Sequence, residues 1–233
     1  MTRMDDQEGG AIGTRVKICG LTRREDALMA ASAGAHYLGV VLVPGSPRAR
    51  EAEEARAVLE GHSASAVMVV ANRPVKDLVR AAEIVEPSVI QLHGDEDPVT
   101  VSAVAAAGPW RVWKAIRVKT PEDVARGRDR YAGVARGLVL DGWDPERLGG
   151  TGAPFEWDRV AGLLDGWPPD AELVVAGGLR PENVRRAVAI LRPHVVDVSS
   201  GVEREPGVKD RFLVESFMDG VRGPGRLEGR DSG

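Results

Sequence analysis

Short runs of apolar, mostly β-branched residues alternate along this chain with longer segments that carry helical patterns. The apolar runs are continuous, whereas a strand with one face in water would alternate apolar and polar residues. Continuous runs are typical of strands that are covered on both faces, as in a buried parallel sheet. Eight strands are predicted, at residues 16–19, 37–43, 66–71, 89–92, 111–116, 137–141, 172–176 and 195–198.

The segments between these runs are predicted to be helices. The order Thr22-Arg23-Arg24-Glu25 has the spacing of a capping box before residues 27–33, and Gly34 is a typical stop. Pro121 and Pro181 are expected in first turns of helices, where proline is well tolerated. Further helices are predicted at 51–60, 75–85, 98–107, 155–164 and 209–220. Eight strand-then-helix units predict an α/β protein, a single (β/α)8 barrel with parallel strands.

A doubly wound open sheet would show the same local pattern. Its dinucleotide-binding form carries a glycine-rich phosphate turn after the first strand. Here the first strand is followed by Cys19-Gly20-Leu21-Thr22, and the glycine-rich turns follow the late strands. Phosphate in barrels is frequently held by the loops after strands seven and eight, so the late turns favour the barrel.

Length and composition bound the domain organisation and the partners. The chain has 233 residues, 43% of them hydrophobic, which suits one barrel domain at residues 15–221. Residues 1–14 and 222–233 are polar or glycine-rich and are expected to be disordered. The net charge is −4 and the basic residues are scattered, so neither nucleic acid nor a membrane is expected as a partner. With no hydrophobic signal core at its start, the chain is expected to be cytoplasmic.

Cys19 is the chain's one cysteine, and it lies where the first predicted strand ends. A single cysteine excludes an intrachain disulfide and a thiolate metal cluster. It is either a small buried core residue or a group that transfers protons. Lys17 could favour the thiolate, although strand alternation places it on the same face one layer deeper.

In a barrel the C-terminal ends of the strands meet at one mouth, where the chemistry is done. The polar side chains predicted at this mouth are Cys19, His93, Lys114, Asp141, Asp197, Ser199 and Ser200. A thiol and carboxylates beside glycine turns, without a cluster suited to a metal, indicate acid–base chemistry on a phosphorylated metabolite. As a lone histidine, His93 is expected to line the mouth as a hydrogen-bonding group.

Two late turns are candidate phosphate sites, because glycine lets backbone N–H groups approach an anion. They contain Gly177 and Gly178 after the seventh strand, and Ser200 and Gly201 after the eighth. A third turn, at residues 149–152, is predicted to be a mobile loop that closes over substrate. Arg48 follows a stiff proline-framed turn and suits recognition of a carboxylate, or is simply a solvated arginine.

Taken together, these segments resemble one family along residues 16–218. They are Lys17-Ile18-Cys19-Gly20-Leu21-Thr22, Ser46-Pro47-Arg48, Gln91-Leu92-His93-Gly94, the Asp141 strand, Gly149-Gly150-Thr151-Gly152, Ala176-Gly177-Gly178-Leu179 and Val196-Asp197-Val198-Ser199-Ser200-Gly201-Val202-Glu203. The chain is similar to phosphoribosylanthranilate isomerases of tryptophan biosynthesis. The resemblance implies a barrel that performs an Amadori rearrangement of a phosphoribosyl substrate without a cofactor.

The resemblance also implies roles for residues. Asp141 matches a general acid that protonates the ribose ring oxygen, and Cys19 matches a base that removes the C2′ proton. Arg48 matches a residue that binds the anthranilate carboxylate. The remaining implied contacts are Asp197, His93 and Gly152 with the substrate, and Gly177, Gly178, Ser200 and Gly201 with its phosphate. A monomer or a homodimer is expected.

One departure from the family pattern keeps alternatives open. The second and third strands lack the expected aromatic residues, so the anthranilate ring would pack on aliphatic side chains or on Trp143. A related aminosugar-phosphate isomerase with another amine substrate is therefore the second hypothesis. A catalytically silent phosphosugar-binding barrel is the third, although a binding protein needs neither Cys19 nor Asp141 at its strand ends.

Overall fold

Eight parallel strands close into a barrel, as the apolar pattern predicts. A computed structural model describes residues 13–142 and 156–223. The strands, in barrel order, are β1 Arg15–Ile18, β2 Tyr37–Val41, β3 Ser65–Val70, β4 Val89–Leu92, β5 Arg111–Val118, β6 Gly137–Gly142, β7 Glu172–Ala176 and β8 Val195–Val198. β8 pairs with β1 in parallel, with Asp197 opposite Lys17, and this pairing closes the barrel.

One helix follows each strand and covers the outside of the barrel. The helices are α1 Arg24–Ser32, α2 Ala52–Val58, α3 Val75–Val85, α4 Pro98–Ala106, α5 Pro121–Tyr131, α6 Trp157–Ala161, α7 Val184–Leu191 and α8 Arg211–Arg222. One large apolar cluster fills the space between strands and helices, and a smaller one fills the barrel interior. Because strand side chains alternate, most strands supply both clusters, which explains the continuous apolar runs.

The helix starts were predicted with mixed success. At α5 the predicted place of Pro121 in the first turn is confirmed, and Thr120 and Asp123 exchange hydrogen bonds as a capping box. At α1 it is wrong: the helix begins at Arg24 without a side-chain cap, and the Thr22 hydroxyl donates to the Gly207 carbonyl oxygen instead. The hydrogen bond to Gly207, which is distant in sequence, thus takes the place of the predicted local cap.

The segment after β8 contains structure that the pattern did not predict. A 3₁₀ turn at Ser200–Val202 leads into a small antiparallel hairpin, β9 Glu203–Glu205 and β10 Val208–Lys209. Lys209 was predicted to begin the last helix, but it lies in β10 and α8 begins at Arg211. The hairpin brings Glu203 and Lys209 together beside the C-terminal mouth, within 2.7 Å between Lys209 Nζ and Glu203 Oε1.

The opposite end of the barrel is closed by an aromatic and charged cluster. Tyr37 and Trp113 meet edge to face, with ring centroids 5.1 Å apart. Glu172 accepts hydrogen bonds from Arg15 at 2.5 Å, Arg111 at 3.2 Å and the Trp113 indole at 2.8 Å. This end of the barrel is therefore a packed floor.

Candidate active site

Cys19 lies directly after β1 and is buried, with 8% of its surface exposed. Its backbone N–H donates to the Val198 carbonyl at 2.8 Å, which continues the pairing of β1 with β8. Gly39 on β2 makes room for the thiol, because a Cβ at Gly39 would come within 2.9 Å of Cys19 Sγ and 3.1 Å of Lys17 Cε. The glycine thus allows the thiol and the lysine to share one face of the barrel interior.

Below the thiol, Lys17 is completely buried and pairs with Asp197 at 2.7 Å between Nζ and Oδ2. Burial lowers the pKa of Lys17, but the negative charge of Asp197 and the neighbouring Cys19 outweigh burial and leave it raised. Lys17 is therefore an ammonium ion at neutral pH. The other carboxylate oxygen, Asp197 Oδ1, is buried and has no hydrogen-bond partner within the described residues. An unpaired buried acceptor at the mouth suits a donor supplied by a ligand.

The same surroundings hold Cys19 mainly in its thiol form. Burial raises the pKa of Cys19, Lys17 and Lys209 lower it, Asp197 raises it further, and the net direction is upward. The sequence predicts that nearby positive charge favours the thiolate. That charge is present, but it only partly offsets burial.

Asp141 lies near the end of β6 and is hydrogen-bonded to His93, which follows β4. His93 Nε2 is 3.0 Å from Asp141 Oδ2, and both side chains are partly exposed at the mouth. On its other side, His93 Nδ1 is 3.0 Å from the amide nitrogen of Gln91. The Gln91 amide oxygen in turn accepts from Lys17 Nζ at 2.9 Å. A continuous chain of hydrogen bonds therefore joins Asp141 to Lys17 beside Cys19.

Arg48 is not a solvated arginine, because it forms a two-point pair with Glu203. Its Nε and Nη2 donate to the two carboxylate oxygens at 2.8 and 2.6 Å, and the side chain is 13% exposed. Burial would raise the pKa of Glu203, but Arg48 and Lys209 hold it below its usual value. The carboxylate fixes one edge of the guanidinium and leaves Nη1 outside the pair. Sequence reasoning assigned no role to Glu203 or Lys209, because their approach depends on the unpredicted hairpin.

The two glycine turns lie against each other and against Asp141. A Cβ at Gly177 would fall 2.8 Å from Asp141 Oδ1, and one at Gly201 would fall 1.9 Å from the Leu179 carbonyl oxygen. Gly177 and Gly178 both have positive φ, a conformation that favours glycine. The prediction that Pro181 lies in the first turn of a helix is wrong, since α7 begins only at Val184. In the intervening turn, Asn183 donates to the Gly178 carbonyl at 2.8 Å.

The other predicted mouth residues differ in outcome. Lys114 is buried and does not reach the mouth, because its ammonium group bonds the Leu92, Gly94 and Ala115 carbonyls and pairs with Glu96 at 3.2 Å. It fixes the loop after β4 that carries His93. Gly152 and Trp143 lie outside the described residues, as does the whole turn at residues 149–152.

Three further observations bound what the site can do. In residues 13–142 and 156–223, no group of three or more His, Cys, Asp or Glu side chains is placed to hold a metal ion. No helix in this part of the chain has the length and apolar character to cross a membrane. An open surface pocket of about 440 Å³ lies outside the packed floor, near the N-terminal ends of β1 to β3, and is lined by Arg15, His36, Tyr37 and Ser65 among others. It is at the other end of the barrel from Cys19, so it takes no part in the mouth.

The fold and the polar mouth define a (β/α)8-barrel protein with a candidate acid–base site at the C-terminal ends of its strands. Residues 16–220 match the model of the N-(5′-phosphoribosyl)anthranilate isomerase family, and the chain belongs to that family.

Individual relatives agree along nearly their whole length. The N-(5′-phosphoribosyl)anthranilate isomerase of Acinetobacter calcoaceticus is 42% identical over 213 residues, covering 90% of this chain and 97% of the relative. Monomers generated from the dimeric isomerase of Thermotoga maritima superpose with a TM-score of 0.80 at 34% identity, covering 91% of this chain and 100% of that one. An isomerase bound to reduced 1-(o-carboxyphenylamino)-1-deoxyribulose 5-phosphate gives 0.79 at 34% identity with the same coverage.

Proposed function

We propose that Cys19 and Asp141 divide the proton transfers of the reaction after which the family is named. The activity is that of the family, the isomerisation of N-(5′-phosphoribosyl)anthranilate in tryptophan biosynthesis. The observation that carries the residue assignment is the placement of a buried thiol and a hydrogen-bonded carboxyl at the same barrel mouth, beside two glycine turns.

Asp141 acts as the general acid. It gives a proton to the ribose ring oxygen while the anthranilate nitrogen forms a double bond to C1′ and the C1′–O bond breaks. The product of this step is an open-chain Schiff base. The position of the Asp141 carboxyl supports this role, since it lies at the strand end with one oxygen held by His93 at 3.0 Å and the other beside Gly177.

Cys19 acts as the general base. It removes the C2′ proton from the Schiff base, and the enolamine so formed tautomerises to the keto product. A thiol with a raised pKa is a weak acid when free, so its thiolate is a correspondingly strong proton acceptor once formed. Lys17 and Lys209 supply the positive charge that stabilises that thiolate.

The proposed substrate contacts use the remaining polar groups of the mouth. Arg48 is assigned the anthranilate carboxylate, with Glu203 holding the guanidinium in one orientation. Asp197 Oδ1 is assigned a ribose hydroxyl, since a hydroxyl is the donor that this unpaired acceptor requires. The turns of Gly177–Gly178 and Ser200–Gly201 are assigned the 5′-phosphate, and His93 lines the site between them and β4. Gly152 is kept as a proposed substrate contact on the family pattern alone.

Location and assembly remain proposals as well. A cytoplasmic enzyme is proposed because a phosphorylated, multiply charged substrate does not cross membranes unaided. A monomer or a homodimer is proposed, since the Thermotoga maritima relative is dimeric and has been obtained as monomers. Sedimentation equilibrium on the purified chain distinguishes the two states.

The test of the proposed function is a turnover assay with phosphoribosylanthranilate generated in situ. Wild-type protein should convert it, and Cys19→Ala and Asp141→Asn should each lower kcat by at least about 100-fold, the usual scale of a general acid or base. Circular dichroism should show a folded barrel in both variants, because neither side chain belongs to the main core. A wild-type barrel that binds the substrate without turning it over would establish the silent-binder alternative. A variant within a few-fold of wild type would remove that residue from the mechanism.

A further inference from the structure

The side chain that joins the two halves of the site is Gln91, which has no assigned role. It lies in the barrel interior on β4 and is 98% buried, since only 2% of its surface is exposed. Its amide makes one contact on each side, with Lys17 Nζ at 2.9 Å and with His93 Nδ1 at 3.0 Å. The direction of each hydrogen bond follows from which of these atoms can donate.

Lys17 fixes the orientation of the amide. An ammonium group has three donors and no acceptor, so only the oxygen of the Gln91 amide can face it. Reversing the amide would place its NH₂ group against the buried ammonium, leaving two donors facing each other out of contact with water. The pairing of Lys17 with Asp197 at 2.7 Å keeps the ammonium in place. The Gln91 amide nitrogen therefore faces His93 and donates a hydrogen bond to it.

The hydrogen bond from the Gln91 amide nitrogen in turn fixes the tautomer of His93. An amide NH₂ group only donates, so His93 Nδ1 must accept and cannot carry a proton. In a neutral imidazole the proton then sits on Nε2, which is 3.0 Å from Asp141 Oδ2. His93 donates to Asp141 through Nε2–H.

The hydrogen bond from His93 also decides which oxygen of Asp141 carries the acid proton. When Asp141 is protonated as an acid, Oδ2 is already occupied as the acceptor of the His93 proton. The acid proton is therefore placed on Oδ1, the oxygen that lies beside the Gly177 turn. A carboxyl whose proton is held on one defined oxygen needs no rotation before it transfers that proton.

We propose that Gln91 is a positioning residue that locks His93 in its neutral Nε2–H tautomer and so places the acid proton of Asp141 on Oδ1. The part that concerns Asp141 rests on the proposed function. The tautomer of His93 does not, because it is a property of the free protein.

The test is nitrogen NMR of histidine-labelled protein, in which the shifts of the two ring nitrogens distinguish the two neutral tautomers and the imidazolium. The chain has four histidines, and His93→Asn identifies the His93 signals by their loss. At neutral pH wild-type His93 should show a protonated Nε2 and an unprotonated Nδ1. His93 as an imidazolium, or protonated on Nδ1, would overturn the proposal.

Two substitutions extend the test. Gln91→Glu puts a carboxylate between Lys17 and His93, and it should draw a proton onto Nδ1. Gln91→Met removes the donor, and it should let the two tautomers exchange. We expect kcat to fall by roughly 10-fold in both with KM nearly unchanged, a smaller loss than removal of the acid itself. Unchanged His93 shifts in folded Gln91→Glu would contradict the inference.

The chain provides internal controls. His36 and His194 each accept a backbone N–H through Nδ1, from Val16 at 3.1 Å and Leu173 at 2.9 Å, at the opposite end of the barrel. Their shifts should stay constant in both Gln91 variants, so a change confined to His93 excludes general loosening of the fold. If the tautomer is as stated while Asp141→Asn remains active, the acid assignment fails and the role of Gln91 in orienting His93 stands.

Discussion

Cys19 is held where burial and charge act in opposite directions. Burial raises the pKa of Cys19, and the two nearby lysines recover only part of that shift. The thiolate fraction is therefore small at neutral pH and increases as the pH rises toward the elevated pKa. The consequence is a thiol whose reactivity increases with pH.

We expect alkylation of Cys19 by a small haloacetamide to become faster from pH 7 into the alkaline range, because the reaction needs the thiolate. Cys19 is the chain's one cysteine, so mass spectrometry reports its modification without ambiguity. Protein unfolded in denaturant gives the ordinary thiol profile as a control. Full reactivity of the folded protein below pH 7 would show that the lysines outweigh burial.

Arg48, the proposed contact for the substrate carboxylate, is held in place by Glu203. Glu203 accepts hydrogen bonds from Nε and Nη2, so the guanidinium is held in one orientation. Replacing Arg48 with Met should lower kcat/KM by an amount equivalent to about 2 to 3 kcal/mol, the scale of a hydrogen bond to a charged group. Arg48→Lys should recover only part of the lost kcat/KM, because the ammonium group of lysine cannot reproduce the planar array of donors of a guanidinium.

Arg24→Met serves as the matched control, since the Arg24 guanidinium donates to the Glu60 carbonyl at the surface, at 3.3 Å. Steady-state kinetics on folded proteins give the comparison. If Arg48→Met kept the kcat/KM of wild type, the carboxylate clamp would be absent and a substrate with a different amine would be favoured.

At the scale of the elements, the predictions succeeded where local pattern decides the structure. The strands at 89–92, 172–176 and 195–198 have the predicted bounds, because each is a mostly apolar run followed by a polar residue or a glycine. α3 likewise begins and ends as predicted, with its first turn after Pro74. The (β/α)8 barrel itself is confirmed.

Failures occurred where a distant partner decides the structure. Thr22 bonds Gly207 across the chain instead of capping α1. Lys114 satisfies three carbonyls and Glu96 in the interior, which no spacing of residues reveals. The pairing of Arg48 with Glu203 spans 155 positions of sequence. The sequence predicts which polar residues lie at strand ends. It does not predict their hydrogen-bond partners, because these are brought together only when the barrel closes.

Contact between the two glycine turns gives a prediction for phosphate binding. A Cβ at Gly201 would fall 1.9 Å from the Leu179 carbonyl oxygen, so Gly201→Ala must separate the turns. We expect KM to rise by roughly 10-fold, since backbone N–H groups recognise an anion only at close approach. Inorganic sulfate should compete with substrate in wild type and much less in the variant.

Gly162→Ala is the control for this substitution, because a Cβ there meets nothing within 4 Å. Its KM and its inhibition by sulfate should match those of wild type. Equal inhibition by sulfate in Gly201→Ala and wild type would place the phosphate elsewhere in the mouth.

At the scale of the whole molecule, stability and chemistry are divided between the two ends of the barrel. The polar groups of the proposed reaction meet at the C-terminal mouth, whereas Glu172 organises the floor. Substitutions in the floor should therefore change stability and leave the rate constants alone, as is general for barrels of this kind.

Glu172→Gln provides the test of that division. The change removes the charge that Arg15 and Arg111 share and weakens the acceptor for the Trp113 indole, at distances of 2.5, 3.2 and 2.8 Å. Because both arginines are partly exposed, solvent reduces the loss, and we expect about 1 to 3 kcal/mol of unfolding free energy. For a chain of this size that corresponds to a fall in Tm of roughly 2 to 4 °C for each kcal/mol.

Asp170→Asn is the control for Glu172→Gln. The Arg136–Asp170 pair is 3.8 Å long with both side chains more than half exposed, so the loss of unfolding free energy should be close to zero. Calorimetry and kcat/KM are measured on both variants, and a large loss of kcat/KM in folded Glu172→Gln would show that the floor also shapes the mouth.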